Sequence, residues 1–153
     1  MEISYRQSPS LLKLATAIYA QSTGIAPSYR PFIDHDSNEP TPLLYINNDE
    51  EEKLRWIAER LMEIYKAYGN SIPSIAIFVS HEEEINRLAK SLSRNDDLAS
   101  VGISIKPCGG GEVLGDKNTV RVFPVDVIKG LEFEAVFFHN VDDLFQEHLE
   151  NDL

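Results

Sequence analysis

Residues 129–133 read Lys-Gly-Leu-Glu-Phe and stand between two apolar, strand-like runs. Lys129, Gly130 and Glu132 are poor choices for burial, yet they interrupt the most hydrophobic part of the chain. They bring a cation, a bare backbone and a carboxylate within four residues. A second candidate lies near the start, where Tyr5-Arg6 precedes a helix signal. An aromatic face stacks on a base, and a guanidinium grips phosphate oxygens with two parallel bonds.

Other motifs carry less. Gly110 and Gly115 have the G-x-x-x-x-G spacing of a phosphate loop, but Asp116-Lys117 follows where Lys and then Ser or Thr are needed. A strand pattern comes next, so no helix N-terminus is offered to an anion. The stretch reads as a plain loop. His35, His81, His139, His148 and Cys108 show no metal-ligand spacing. The runs Asp49–Glu52 and Glu82–Glu84 read as favourable charge at helix N-termini.

These residues need elements to hold them, and the chain alternates helical and strand patterns. Ser8 and Pro9 suit the N-cap and first position of a helix whose apolar face is Leu11, Leu14, Ala15 and Ile18. Gly24 to Asn38 reads as a loop, and Pro42 to Ile46 as a short buried strand. Asn48 or Asp49 opens a helix to about Tyr68 with the stripe Leu54, Ile57, Ala58, Leu61, Ile64, Tyr65 and Tyr68, stopped by Gly69. Ser74–Val79 reads as a buried strand. Ser80-x-x-Glu83 then reads as a capping box before a helix bearing Ile85, Leu88, Ala89 and Leu92. Further strands are expected at Val101–Ile105, Val120–Phe123 and Glu134–Val141. Such alternation predicts an α/β fold with a mostly parallel sheet flanked by helices. In such sheets ligands gather at the carboxyl ends of strands, and the 129–132 string falls just past one.

A chain of 153 residues is expected to form one domain with a single core. One cysteine rules out an intramolecular disulfide. No apolar run is long enough to span a bilayer and no signal-peptide pattern is present, so a cytoplasmic location is expected. Twenty-five acidic against fourteen basic residues give a formal charge of −11. Bulk electrostatic attraction to nucleic acid is excluded, and any such contact must be local.

Taken together, Ser4-Tyr5-Arg6-Gln7-Ser8 and Ile128–Phe133 with Glu134-Ala135-Val136 resemble motifs IV and V of the UvrD/Rep-type superfamily 1 DNA helicases. The resemblance covers nearly the whole chain and points to the second RecA-like domain, a P-loop NTPase-like fold without its own P-loop. It implies that Tyr5 would stack on the adenine of ATP. Arg6 would contact the γ-phosphate as an arginine finger does, making it the catalytic residue. The bare backbone of Gly130 would approach the phosphates closely, Glu132 would bond the ribose hydroxyl, and Lys129 would help hold motif V near the nucleotide and the strand-binding surface. Mg²⁺ would be held mainly by the first RecA-like domain. Asp126 and Lys129 would lie on the side facing single-stranded DNA, the expected second partner.

The chain departs from the family in three ways. Pro124 and Asp126 stand where the family often has Thr and His, losing a hydroxyl and adding a charge that repels a phosphodiester. Only a short stretch separates the 74–79 strand from motif V, as in the branch without the large inserted subdomain. Motif VI and the first RecA-like domain are not in this sequence, so the isolated chain is expected to be one part of a longer enzyme, inactive alone and with at most millimolar nucleotide affinity. The alternative is a RecA-like regulatory or interaction module of an ATPase that acts on a protein machine, for example RNA polymerase, with little DNA contact. A third reading is a generic α/β nucleotide-binding domain with a chance motif match.

Overall fold

In the computed structural model the described residues are 2–4, 13, 15–17, 20, 21, 23–25, 29–31, 42–110, 112, 113, 115–128, 131–141 and 143. They fall into two compact units, 1–46 and 47–153. In the first unit, strands β1 (Glu2–Ser4) and β2 (Tyr29–Pro31) pair in parallel, Glu2 opposite Tyr29. The described residues between 13 and 23 are helical, and Gly24 at φ +70° closes that helix by donating its N–H to the Ala20 carbonyl. The helix-opening residues Ser8 and Pro9 lie outside the described residues.

The second unit begins with helix α1 (Glu50–Ala67). Asp49 caps it, accepting from the Glu51 and Glu52 amides at 2.8 and 3.4 Å. Three glutamates follow in the first turn and Lys66 stands in the last, matching the helix dipole at both ends. Ile57, Ala58 and Leu61 are its buried face, while Tyr68, at the expected end of the stripe, is exposed because the helix has already stopped. Strand β3 (Ile75–Val79) is buried at every position, as the centre of a parallel sheet demands. Helices α2 (Glu82–Leu92) and α3 (Asp96–Ser100) lead to β4 (Ser104–Pro107), β5 (Thr119–Pro124) and β6 (Ala135–Phe138). The sheet order is β4-β5-β3-β6 and every pairing is parallel. The expected α/β architecture with a helix-covered parallel sheet is therefore what forms.

The two faces of this sheet differ. Ile75, Ile77 and Val79 with Val120, Val122 and Ile105 point to α1, α2 and α3, forming one core with Ile85, Leu88, Leu92 and Leu98. Ala76, Phe78, Phe123 and Cys108 point the other way, where Val127, Leu131 and Phe133 pack on them. Those three belong to the connection from β5 to β6. Because β6 lies beyond β3, residues 125–134 must return from the carboxyl edge to the amino edge of the sheet. A parallel crossover usually uses a helix; here, among the described residues of the connection, Val125–Val127 form a single 3₁₀ turn.

Four readings of the sequence change. Pro42–Ile46 is not a buried strand: Leu43, Leu44 and Ile46 are 68%, 72% and 82% exposed and have no strand pairing. Strand-like composition supplies no neighbour to pair with. The 24–38 loop contains β2. The helix after β3 has His81 at its N-cap position, one residue later than the capping box requires and without a side-chain cap bond, and the buried Ser80 Oγ lacks a hydrogen-bond partner among the described residues. Finally, residues 101–103 wind off α3, with Gly102 and Ile103 donating to Ala99 and Leu98 carbonyls, so the strand starts at Ser104.

Candidate functional site

The described part of the 129–133 string, Leu131 to Phe133, sits on the crossover, and its apolar members explain how it is held. Leu131 and Phe133 are half-buried against the second core. The Phe133 ring lies 5.5 Å from Phe123 and 6.2 Å from Phe78, edge-on or tilted to each. Such aromatic pairs add roughly 0.5–1.5 kcal/mol each beyond area burial. Glu134 fastens the far end: its carboxylate accepts from the Ser74 amide at 2.8 Å, and its own amide donates to the Ser74 carbonyl at 2.9 Å. Between these anchors Glu132 projects into solvent. A carboxylate on a segment pinned at both sides is free to accept a hydrogen bond from a ligand at little ordering cost.

The other proposed ligand residues, Tyr5, Arg6, Lys129 and Gly130, lie outside the described residues. Strand β1 ends at Ser4, immediately before Tyr5 in sequence. Pro124 closes β5 and is buried, and Asp126 is exposed on the 3₁₀ turn that follows. Asp126 lines a shallow depression of about 610 Å³ with Ser80, His81, Glu82, Glu83 and Asn86. This depression lies at the carboxyl edge, where ligands gather in parallel sheets. Its three carboxylates oppose a phosphate there despite the nearby α2 N-terminus. The glycine-rich loop behaves as a tether for β5: Arg121 donates to the Gly115 carbonyl at 3.2 Å, and a strand follows.

One cluster escaped the sequence. His139 directly follows β6 and is almost fully buried. Its amide donates to the Phe78 carbonyl at 2.9 Å, continuing the sheet and turning the ring toward the helical face. Nε2 lies 3.1 Å from a Glu50 oxygen and Nδ1 3.7 Å from a Glu84 oxygen. Neither approach has hydrogen-bond geometry, so both ring nitrogens and that Glu84 oxygen lack hydrogen-bond partners among the described residues. Asn140, at φ +53°, accepts from Lys53 at 2.9 Å beside them. Local sequence gave no signal, because these residues come from three elements far apart in the chain. Among the described residues no group of three His, Cys, Asp or Glu side chains could hold a metal, and no helix is long and apolar enough to cross a membrane.

No family model, curated protein or solved structure matches this chain.

Proposed function

We propose that this chain is the second RecA-like domain of an ATP-driven DNA helicase or translocase of UvrD/Rep type, supplying one lip of an ATP site shared with a P-loop domain. The observation that carries this reading is the crossover: Leu131 and Phe133 are anchored beneath it while Glu132 stands free between them. In this role Glu132 holds the ribose, the Gly130 backbone approaches the phosphates, Lys129 helps hold the segment near the nucleotide and the strand-binding surface, Tyr5 stacks on adenine, and Arg6 stabilises charge developing at the γ-phosphate. ATP closing the two domains together would step the pair along single-stranded DNA.

The test is ATP hydrolysis by a protein joining this chain to its P-loop domain, with and without single-stranded DNA. Arg6→Ala is expected to lower kcat by about 10³-fold or more, the scale of an arginine finger. Glu132→Ala is expected to weaken nucleotide binding by roughly 10- to 100-fold, the loss of one charged hydrogen bond of about 1.5–3 kcal/mol. Unchanged hydrolysis in both variants would sink the assignment.

A second reading is a RecA-like regulatory module with little DNA contact. The acidic depression of Glu82, Glu83 and Asp126 at the carboxyl edge favours it, since that surface repels a phosphodiester. Hydrolysis indifferent to single-stranded DNA selects this reading over the helicase.

A further inference from the structure

We propose that the open edge of β6 is a self-association surface, on which a second copy of this chain adds its own β6 antiparallel and joins the two sheets into one. This inference stands apart from the nucleotide reading. The main-chain pattern defines the edge. Ala135 and His139 donate their amides to the Ser74 and Phe78 carbonyls on the β3 side. Successive residues of a parallel strand bond to opposite sides, so Val136 and Phe138 turn their N–H and C=O groups away from β3. Among the described residues no strand lies beyond β6.

The two edges of the sheet are built differently. β4 carries Lys106 and Pro107, a charge and a residue without an N–H, which keep an edge from pairing. Ala135–Phe138 has neither a charge nor a proline. Both flanks of this edge are apolar. Val136 and Phe138 are exposed on the crossover side, and on the helical side the Phe137 ring meets Trp56 edge-on at 6.4 Å.

Register favours a second copy as the occupant. A two-fold axis between the two Phe137 residues sets Val136 of each strand opposite Phe138 of the other. Only this register engages both outward residues on both copies, each pair exchanging its two main-chain bonds. The opposed side chains share a face, and a β-branched residue beside an aromatic one is a favourable cross-strand pair. Glu134 then falls opposite Asn140 rather than a second carboxylate. The strand is short, and the formal charge of −11 on each chain opposes association. The dimer is therefore weak, with a Kd on the order of 100 µM, as for contacts at the small end of the interface range. At low micromolar concentration the chain is monomeric, and salt tightens the dimer by screening the repulsion.

The test is sedimentation of the full chain between roughly 10 µM and roughly 1 mM, a range that brackets such a Kd, with amide hydrogen exchange on the same samples. The mass should rise towards that of a dimer, more so at high salt, and the Val136 and Phe138 amides should gain protection with concentration. Val136→Lys places a charge on the edge and should weaken association by about 10-fold or more. Val113→Lys makes the same charge change at an exposed residue of the 108–118 loop and should not weaken it. If Val136→Lys does not fold, Val136→Pro replaces it, since it deletes only an N–H that faces away from β3. A monomer at the highest concentration, or association that the Val136 variant leaves intact, overturns the proposal. So does equal protection of the two amides at every concentration, which would mean that the edge is covered within one molecule.

Discussion

Phe78 and Phe138 are neighbours in register on the second face of the sheet, with ring centroids 5.6 Å apart. Their surroundings differ. Phe78 is fully buried and also meets Phe123 and Phe133, whereas Phe138 on the edge strand is 45% exposed and Val136 beside it 42%. Truncating Phe78 to alanine removes a core ring and opens a cavity under the crossover, a loss of about 3–5 kcal/mol. Truncating Phe138 loses about half of a side-chain transfer term of roughly 1.5–3 kcal/mol. It also loses one stacked pair of about 0.5–1.5 kcal/mol. The sum is about 2 kcal/mol. Urea unfolding followed by fluorescence measures both, with an unchanged slope certifying that only stability moved. Phe78→Leu gives a milder measurement if the alanine variant is too unstable. The reasoning fails if Phe138→Ala costs as much as Phe78→Ala, because the outer part of this face would then be covered and the crossover would not be its main roof.

Two further outcomes follow from single contacts. Asp49→Ala should cost about 1 kcal/mol in urea unfolding, since it leaves the Glu51 and Glu52 amides without their cap; Asp49→Ser should recover most of it. Cys108 has no exposed surface and lies in the second core, so its thiol should react with an aromatic disulfide reagent on the order of 10³-fold more slowly in native than in denatured protein, for an opening free energy of at least about 4 kcal/mol. Rapid native labelling would show that the crossover lifts readily from the sheet.

The layout of the second unit was legible because its elements carry their own signals. The Asp49 cap, the apolar stripe of α1 and the unbroken run of β3 each combine a local pattern with burial. The failures share a cause: they depended on neighbours. Leu43 to Ile46 have the composition of a strand but are not paired in a sheet, whereas Tyr29–Pro31, with a proline, pairs with β1. The capping box at Ser80 matched in spacing, yet the chain stays extended through His81 and starts the helix one residue later. The His139 cluster was illegible, because only the sheet register and two helix starts bring Glu50, Glu84 and His139 together.

That contrast bears on how the 129–133 string should be weighed. A pattern of mixed polarity between two strands has two physical origins: a ligand that needs the polar members, or a turn that merely tolerates them. The crossover separates these origins residue by residue. Leu131 and Phe133 have a structural reason, since they roof Phe78 and Phe123 where a helix would otherwise lie. Glu134 has one too, through the Ser74 amide. Glu132 has no comparable packing role, since it is exposed in the middle of an anchored segment. A glutamate there could be replaced by almost any polar residue without cost to the fold, so Glu132→Gln should leave the unfolding midpoint unchanged. If the midpoint instead falls by several degrees, Glu132 is a fold residue and the case for a ligand at this crossover loses its main support.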